Sequence, residues 1–257
     1  MIFIISIDVN PAEENYQELA VLLAYSLKMS QISNYRLICG LFTNRKPSDH
    51  IIKLLKRYNV EIVTDLKFTF HNREVPYYLR HYTSYYFSKI YNNFMYLDLD
   101  VLVLKPLDDI YKKDIMYLEK IPDDIILKEV KYVPGIDKLK YPIYYNWYQM
   151  INQYNRFLYD MDYNLFLKHK ECDLEISRRI DKYKNIINTV PQTKGAYYPK
   201  HKLDNSYLFH YDGFINSGTL YKLEEYDPLY YKKIKLFLKH ILKIELKNDK
   251  LYWRDYE

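Results

Sequence analysis

Two carboxylates one residue apart, Asp98 and Asp100, stand inside the apolar run from Phe94 to Leu104 (Phe-Met-Tyr-Leu-Asp-Leu-Asp-Val-Leu-Val-Leu). In an extended chain, positions i and i+2 share a face, so this spacing directs both acids to one side while Leu97, Leu99 and Val101 take the other. Ionised carboxylates withdrawn from water without a partner are costly, so the pair needs a cation, hydrogen-bond donors or an exposed strand end. Hard oxygen ligands suit Mn2+ or Mg2+, whose remaining positions can take diphosphate oxygens. A dication about 2 Å from an oxygen has twice the charge at half the distance of a lysine ion pair at about 4 Å, and so stabilises a departing diphosphate more strongly. Glycine offers no substitute. The five glycines, at 40, 135, 195, 213 and 218, permit neither a G-x-x-x-x-G-K loop nor a G-x-G-x-x-G turn.

The elements that must carry these acids follow from periodicity. Met1 to Asp8 reads as a buried strand: it is too short to span a bilayer and lacks the basic start of a signal peptide. Asn10-Pro11 suits a helix cap and first turn, and Tyr16, Leu19, Ala20, Leu22, Leu23 and Leu27 recur at helical spacing between Ala12 and Met29. Tyr35 to Thr43 is strand-like, Pro47 to Tyr58 helical, and Val60 to Leu66 a third strand. Such alternation predicts an α/β fold with a parallel sheet and crossover helices. After Pro76, a helix over Tyr77 to Ile90 is expected to bury Leu79, Tyr82, Tyr86 and Ile90 and to carry Arg80, Ser84 and Ser88 on another stripe. It leads into the acid-bearing run, read as one central strand ending near Pro106. From Tyr111 to Lys200 the periodicity is weak. A short glycine-bounded strand is expected within Tyr211 to Leu223, and a helix over Pro228 to Leu246.

Composition bounds the function classes. A 257-residue chain with 49% hydrophobic and 28% charged residues is long and apolar enough for one domain over 1–257, which excludes disorder as its main description. Lys+Arg 38 against Asp+Glu 33 is a mild, dispersed excess that does not favour nucleic acid. Two cysteines, Cys39 and Cys172, make neither a disulfide framework nor a thiolate zinc site, so a reducing, cytoplasmic setting is expected, with no transmembrane segment. No Ser/His/Asp or Cys/His pattern supports covalent hydrolysis.

Tyr96-Leu-Asp98-Leu-Asp100-Val-Leu-Val-Leu104-Lys-Pro-Leu-Asp108-Asp109, with Phe214-Ile-Asn216-Ser217-Gly218 downstream, resembles the GT-A glycosyltransferases, most nearly glycosyltransferase family 8, the glycogenin and galactinol synthase-like group. That group carries a Y-L-D-x-D core and a later F-N-x-G, here with one residue inserted between Phe and Asn. Ile7-Asp8-Val9 is similar to the end of its first strand, and Leu19 to Leu27 to its first helix. Lys105-Pro106-Leu107-Asp108-Asp109 also suits capsular-type sugar transferases, but Asn92-Asn93 stand where those have a Gly-Gly pair. The resemblance covers roughly residues 1 to 110 and 207 to 223.

The resemblance implies a GT-A fold, with a central mostly parallel sheet flanked by helices, and metal-dependent transfer from a UDP- or GDP-sugar to a glycan, protein or small-molecule hydroxyl, with retention. Asp100 would ligate Mn2+ or Mg2+ directly, and Asp98 would contact ribose and metal. Asp8 and Val9 would lie at the nucleotide base. Arg80 would neutralise a phosphate or hold the donor sugar, Asn216 would hydrogen-bond that sugar, and Ser217 and Gly218 would let the backbone approach it. Family 8 also supplies a late histidine ligand in an H-x-x-G-x-K-P-W-like segment, and none follows Gly218. His240 falls in an expected helix, and His201 and His210 read as ordinary polar contacts. Either two acids and the donor hold the metal or another residue substitutes.

Two other classes remain open at this point. The 32 tyrosines could stack on sugars in a carbohydrate- or polyanion-binding protein, although most fall in apolar stripes that suit core packing. A nucleotidyltransferase also uses paired acids, but would carry a glycine-rich signature near its start, and no glycine precedes Gly40.

Overall fold

A computed structural model describes residues 1–7, 15–41, 47–64, 66, 75–118, 120, 138–144, 147–162, 171–191, 195–197, 206–211, 220, 222–244, 246–247 and 250–251. The strands are β1 (Ile2–Ile7), β2 (Arg36–Leu41), β3 (Val60–Val63), β4 (Asn93–Leu97), β5 (Val101–Val103), β6 (Met116–Leu118), β7 (Tyr148–Asn152), β8 (Thr189–Pro191), β9 (Gly195–Tyr197), β10 (Leu208–His210), β11 (Leu246–Lys247) and β12 (Lys250–Leu251). The helices are α1 (Asn15–Met29), α2 (Asp49–Arg57), α3 (Val75–Ser88), α4 (Glu171–Tyr183), α5 (Lys222–Tyr226) and α6 (Pro228–Phe237).

The main sheet has the order β3-β2-β1-β4-β7 and is parallel except for β7, which runs antiparallel to β4 from Asn93↔Asn152 to Leu97↔Tyr148. The alternation of strands and helices expected in the first half of the chain is therefore present, and α/β with a mostly parallel sheet describes it. Both faces of the sheet are covered. Phe3, Ile5, Ile7, Met95 and Leu97 point into a core shared with α1, α2 and α6, while Ile4, Phe94 and Tyr96 point into a second core shared with Leu79 and Phe87 of α3 and Ile176 and Ile180 of α4. This is the period-two partition of a central strand. Ser48 caps α2 by accepting the Ile51 N–H, and the cap expected at Asn10-Pro11 lies outside the described residues.

Two expectations are corrected. The acid-bearing run is not one strand: β4 stops at Leu97, residues 98–100 turn, and β5 joins a smaller sheet of order β5-β10-β9. Two half-buried carboxylates interrupt the ladder, because a strand paired on both sides offers main-chain groups but no counter-charge. In α3 the buried face is Leu79, His81, Thr83, Ser84, Phe87 and Ser88, whereas Ile90 lies past the helix end and is exposed. The small hydroxyls bury because they bond back to main chain, Thr83 Oγ1 to the Leu79 carbonyl and Ser84 Oγ to the Arg80 carbonyl. Near the C-terminus most of the strand segment expected within Tyr211 to Leu223 lies outside the described residues, and Lys222–Tyr226 is helical. The helix starting at Pro228 widens at Leu238–Leu242 and ends at Lys243, whose φ of 60° is left-handed.

Candidate active site

In open α/β sheets a crevice forms beyond the carboxyl ends of the strands, where the strand order reverses. Here β1 is followed by β2 on one side and has β4 on the other, so the reversal falls between β1 and β4. Asp98 is the residue that follows β4 at that edge.

The chain crosses from the main sheet to the smaller one through the two acids. The Asp98 N–H donates to the Trp147 carbonyl at 2.8 Å, which continues the β4–β7 ladder by one bond. Tyr211 N–H donates to the Asp100 carbonyl at 3.0 Å, which extends the antiparallel β5–β10 ladder, whose last pair is Val101↔His210. Both acids are thus pinned by main-chain bonds to different sheets. Their side chains still converge as their spacing suggested, and His210 joins them: one ligand atom from each of Asp98, Asp100 and His210 lies within 4.8 Å of the others.

Each side chain has a defined neighbour. Arg80 Nη1 is 3.0 Å from Asp98 Oδ2, and His210 Nε2 is 3.1 Å from Asp100 Oδ1. The His210 ring stacks on Trp147, with centroids 5.1 Å apart and planes 26° from parallel. Trp147 is itself buried, so the imidazole lies on a fixed platform. The Tyr96 hydroxyl, 3.4 Å from Ser6 Oγ on β1, also hydrogen-bonds the Asp98 carboxylate.

The electrostatics follow from burial and proximity. Exclusion from water pushes the Asp98 carboxyl up to about 6; Arg80 opposes this and the Asp100 carboxylate adds to it. Burial acts on Asp100 in the same sense, but the charge and hydrogen bond of His210, with Arg80, outweigh it and hold Asp100 below the usual carboxylate range. The two acids thus differ in environment, and Asp98 is the harder to ionise.

Two oxygen donors and one imidazole nitrogen at this separation form a donor set that fits a divalent cation such as Mn2+ or Mg2+. The fit also rests on repulsion, because a dication would relieve the mutual opposition of two carboxylates drawn together away from water.

Of the residues singled out from the sequence, Asp98, Asp100 and Arg80 are brought together. Asp8, Val9, Asn216, Ser217 and Gly218 lie outside the described residues, as does His201. His210, expected to be an ordinary polar contact, faces Asp100 across the smaller sheet and stands with both acids in one group of possible ligands. A sequence signal was available, since a histidine within the buried apolar stretch Leu208-Phe209-His210-Tyr211 requires a polar partner. Trp147 left no comparable trace, because its contacts are made only in space.

No protein-family model matches the chain, and no curated protein matches it. Solved structures do. The apo structure of WbbM, a bifunctional glycosyltransferase, aligns with a TM-score of 0.58 at 13% identity, covering 95% of this chain and 51% of that one. This chain therefore spans about half the length of WbbM. An active-site mutant of LgtC aligns at 0.55 and 13% identity, covering 99% of this chain and 98% of that one. Mouse xyloside xylosyltransferase 1, in its apo form, aligns at 0.50 and 9% identity over 82% of this chain and 96% of that one. At such identities the likeness concerns architecture, and the architecture is the GT-A glycosyltransferase fold.

Proposed function

We propose that this chain is a metal-dependent glycosyltransferase, of the family 8 type, that moves a sugar from a UDP- or GDP-sugar to a hydroxyl acceptor with retention, and that residues 1–257 form one catalytic domain. The observation that carries the proposal is the convergence of Asp98, Asp100 and His210 at the carboxyl edge of β4, beside the reversal of strand order. The likeness to LgtC, solved elsewhere as a galactosyltransferase with donor and acceptor sugar analogues, supports the same reading.

In this reading Asp98, Asp100 and His210 hold Mn2+ or Mg2+, which when bound supplies positive charge to the diphosphate of the donor. His210 serves as the nitrogen ligand beside the two carboxylates. Arg80, already against Asp98, keeps that carboxylate ionised and adds positive charge at the edge the diphosphate would occupy. Asp8 and Val9, following β1, serve the nucleotide base; Asn216, Ser217 and Gly218 serve the donor sugar. Trp147, beneath His210, shields the imidazole from water and fixes its plane. Both cysteines are buried and neither is in a disulfide, which accords with a cytoplasmic, reducing setting, and no helix among the described residues is long and apolar enough to cross a membrane.

The test is release of nucleoside diphosphate from a panel of UDP- and GDP-sugars, with Mn2+ and with chelator. Release is expected only with metal, and Asp98→Asn and Asp100→Asn should each lower it by at least about a hundredfold, the scale of losing one preorganised charge-stabilising group. A binding protein would release no nucleotide, and a nucleotidyltransferase would consume a nucleoside triphosphate; either result ends the proposal.

A further inference from the structure

The face that α6 turns to solvent takes no part in the site above. Tyr230, Tyr231, Ile234, Phe237, Leu238 and Leu242 are buried, so this side of the helix packs on the core. The opposite stripe, Leu229, Lys232, Lys233, Leu236, Lys239 and Lys243, recurs at intervals of three and four residues and is exposed throughout. His240 lies on the same exposed side. Leu229 is 75% exposed and Leu236 47%. No Asp or Glu occurs between Pro228 and Lys243, so nothing along this stretch offsets the lysines.

The basic character extends beyond α6. Phe237 stacks on Tyr25 of α1 at 4.0 Å and meets Tyr58, the residue after α2, edge-on at 5.8 Å, which ties the three helices into one surface. Exposed Lys28 lies 5.6 Å over the Tyr58 ring, and exposed Arg57 acts electrostatically on the same tyrosine.

Different occupants would satisfy different parts of this stripe. A soluble polyanion would pair with the lysines and leave both leucines in water. A dry apolar protein groove would take the leucines but strip water from four lysines, which is costly. An anionic bilayer surface does neither: leucines enter the boundary of the acyl region, while lysine stems extend so that the ammonium groups stay among the phosphates. We propose that the Leu229–Lys243 stripe docks the protein on a membrane surface rich in anionic phospholipid headgroups, with α6 lying parallel to the membrane plane. This proposal stands apart from the sugar-transfer reading, since none of its residues belongs to the candidate site.

The experiment is vesicle flotation of the full chain, using phosphatidylcholine with and without phosphatidylglycerol. The protein is expected to float only with the anionic vesicles and to be released by added salt. Reversing three charges, Lys232→Glu, Lys233→Glu and Lys239→Glu together, should weaken binding by at least about a hundredfold. Leu229→Ser with Leu236→Ser should weaken it by about tenfold at unchanged charge. Because these side chains are exposed, both variants should melt with the wild type, which a thermal scan checks. Absence of flotation with anionic vesicles, or flotation that survives charge reversal, overturns the proposal. Full vesicle binding by the leucine variant also overturns it, since the lysines alone would then account for anion binding without a docked apolar stripe.

Discussion

Trp147 touches the acid pair with its main chain and the histidine with its ring: its carbonyl accepts the Asp98 N–H, and its indole stacks on His210. These contacts respond differently to substitution, because the carbonyl survives any side-chain change. Trp147→Leu should leave Asp98 tethered but remove the platform under His210, raising the Mn2+ dissociation constant by about tenfold, as loss of an outer ligand support commonly does. Trp147→Phe keeps an aromatic face and should stay within about threefold of the wild type. Electron paramagnetic resonance of free Mn2+ measures both, and equal affinities in the two variants would remove Trp147 from its positioning role. At this scale the sequence was partly legible. Asp98 and Asp100 stood out as charges in an apolar run, whereas the histidine in the apolar stretch around His210 signalled a polar partner whose identity emerged only when β10 paired with β5.

Among the elements, β5 depends on two helices that grip one residue. Val103 N–H donates to Ser26 Oγ of α1 at 3.1 Å, and the Val103 carbonyl accepts from the Tyr230 hydroxyl of α6 at 2.8 Å. Ser26 Oγ also donates to the Leu23 carbonyl, so its hydroxyl both gives and accepts in a fully buried position. Ser26→Ala would leave the Val103 N–H without that acceptor, costing about 1–3 kcal/mol. For a chain of this size that lowers the melting temperature by a few degrees, measurable by calorimetry. An unchanged melting temperature would show that β5 is held without α1.

The first elements were legible because apolar periods of two and 3.6 alternate cleanly there. By contrast β7 was invisible. Its Gln149 and Asn152 are buried polar residues that break the pattern, satisfied by the Tyr159 hydroxyl and by reciprocal bonds with Asn155.

For the whole molecule, the second core hides a titratable link between α3 and α4. His81, buried beside Tyr159, is paired through Nε2 with Asp173. Burial holds its imidazole below the ordinary histidine value, with Asp173 pulling the other way and Arg80 reinforcing the burial. The sign follows: below about pH 6.5 the unfolded chain takes up a proton that the folded one resists, so the stability present above that pH is lost as pH falls toward the folded value. Melting temperature should drop between pH 7.5 and pH 5.5, and His81→Gln should flatten that slope. An unaltered slope would place the pH sensitivity elsewhere. Such links between elements distant in sequence have no local signature, and this is why the strand-helix order could be anticipated while the stretch from 111 to 200 could not.

Asp98 and His210 belong to different sheets and stand about 110 positions apart in the chain. During synthesis the first four strands and their helices can emerge from the ribosome and pack long before β10 is made. A nascent chain at that stage would carry both acids without their histidine. The two acids and the imidazole would thus meet only once β10 has emerged and paired with β5, a timing imposed by topology.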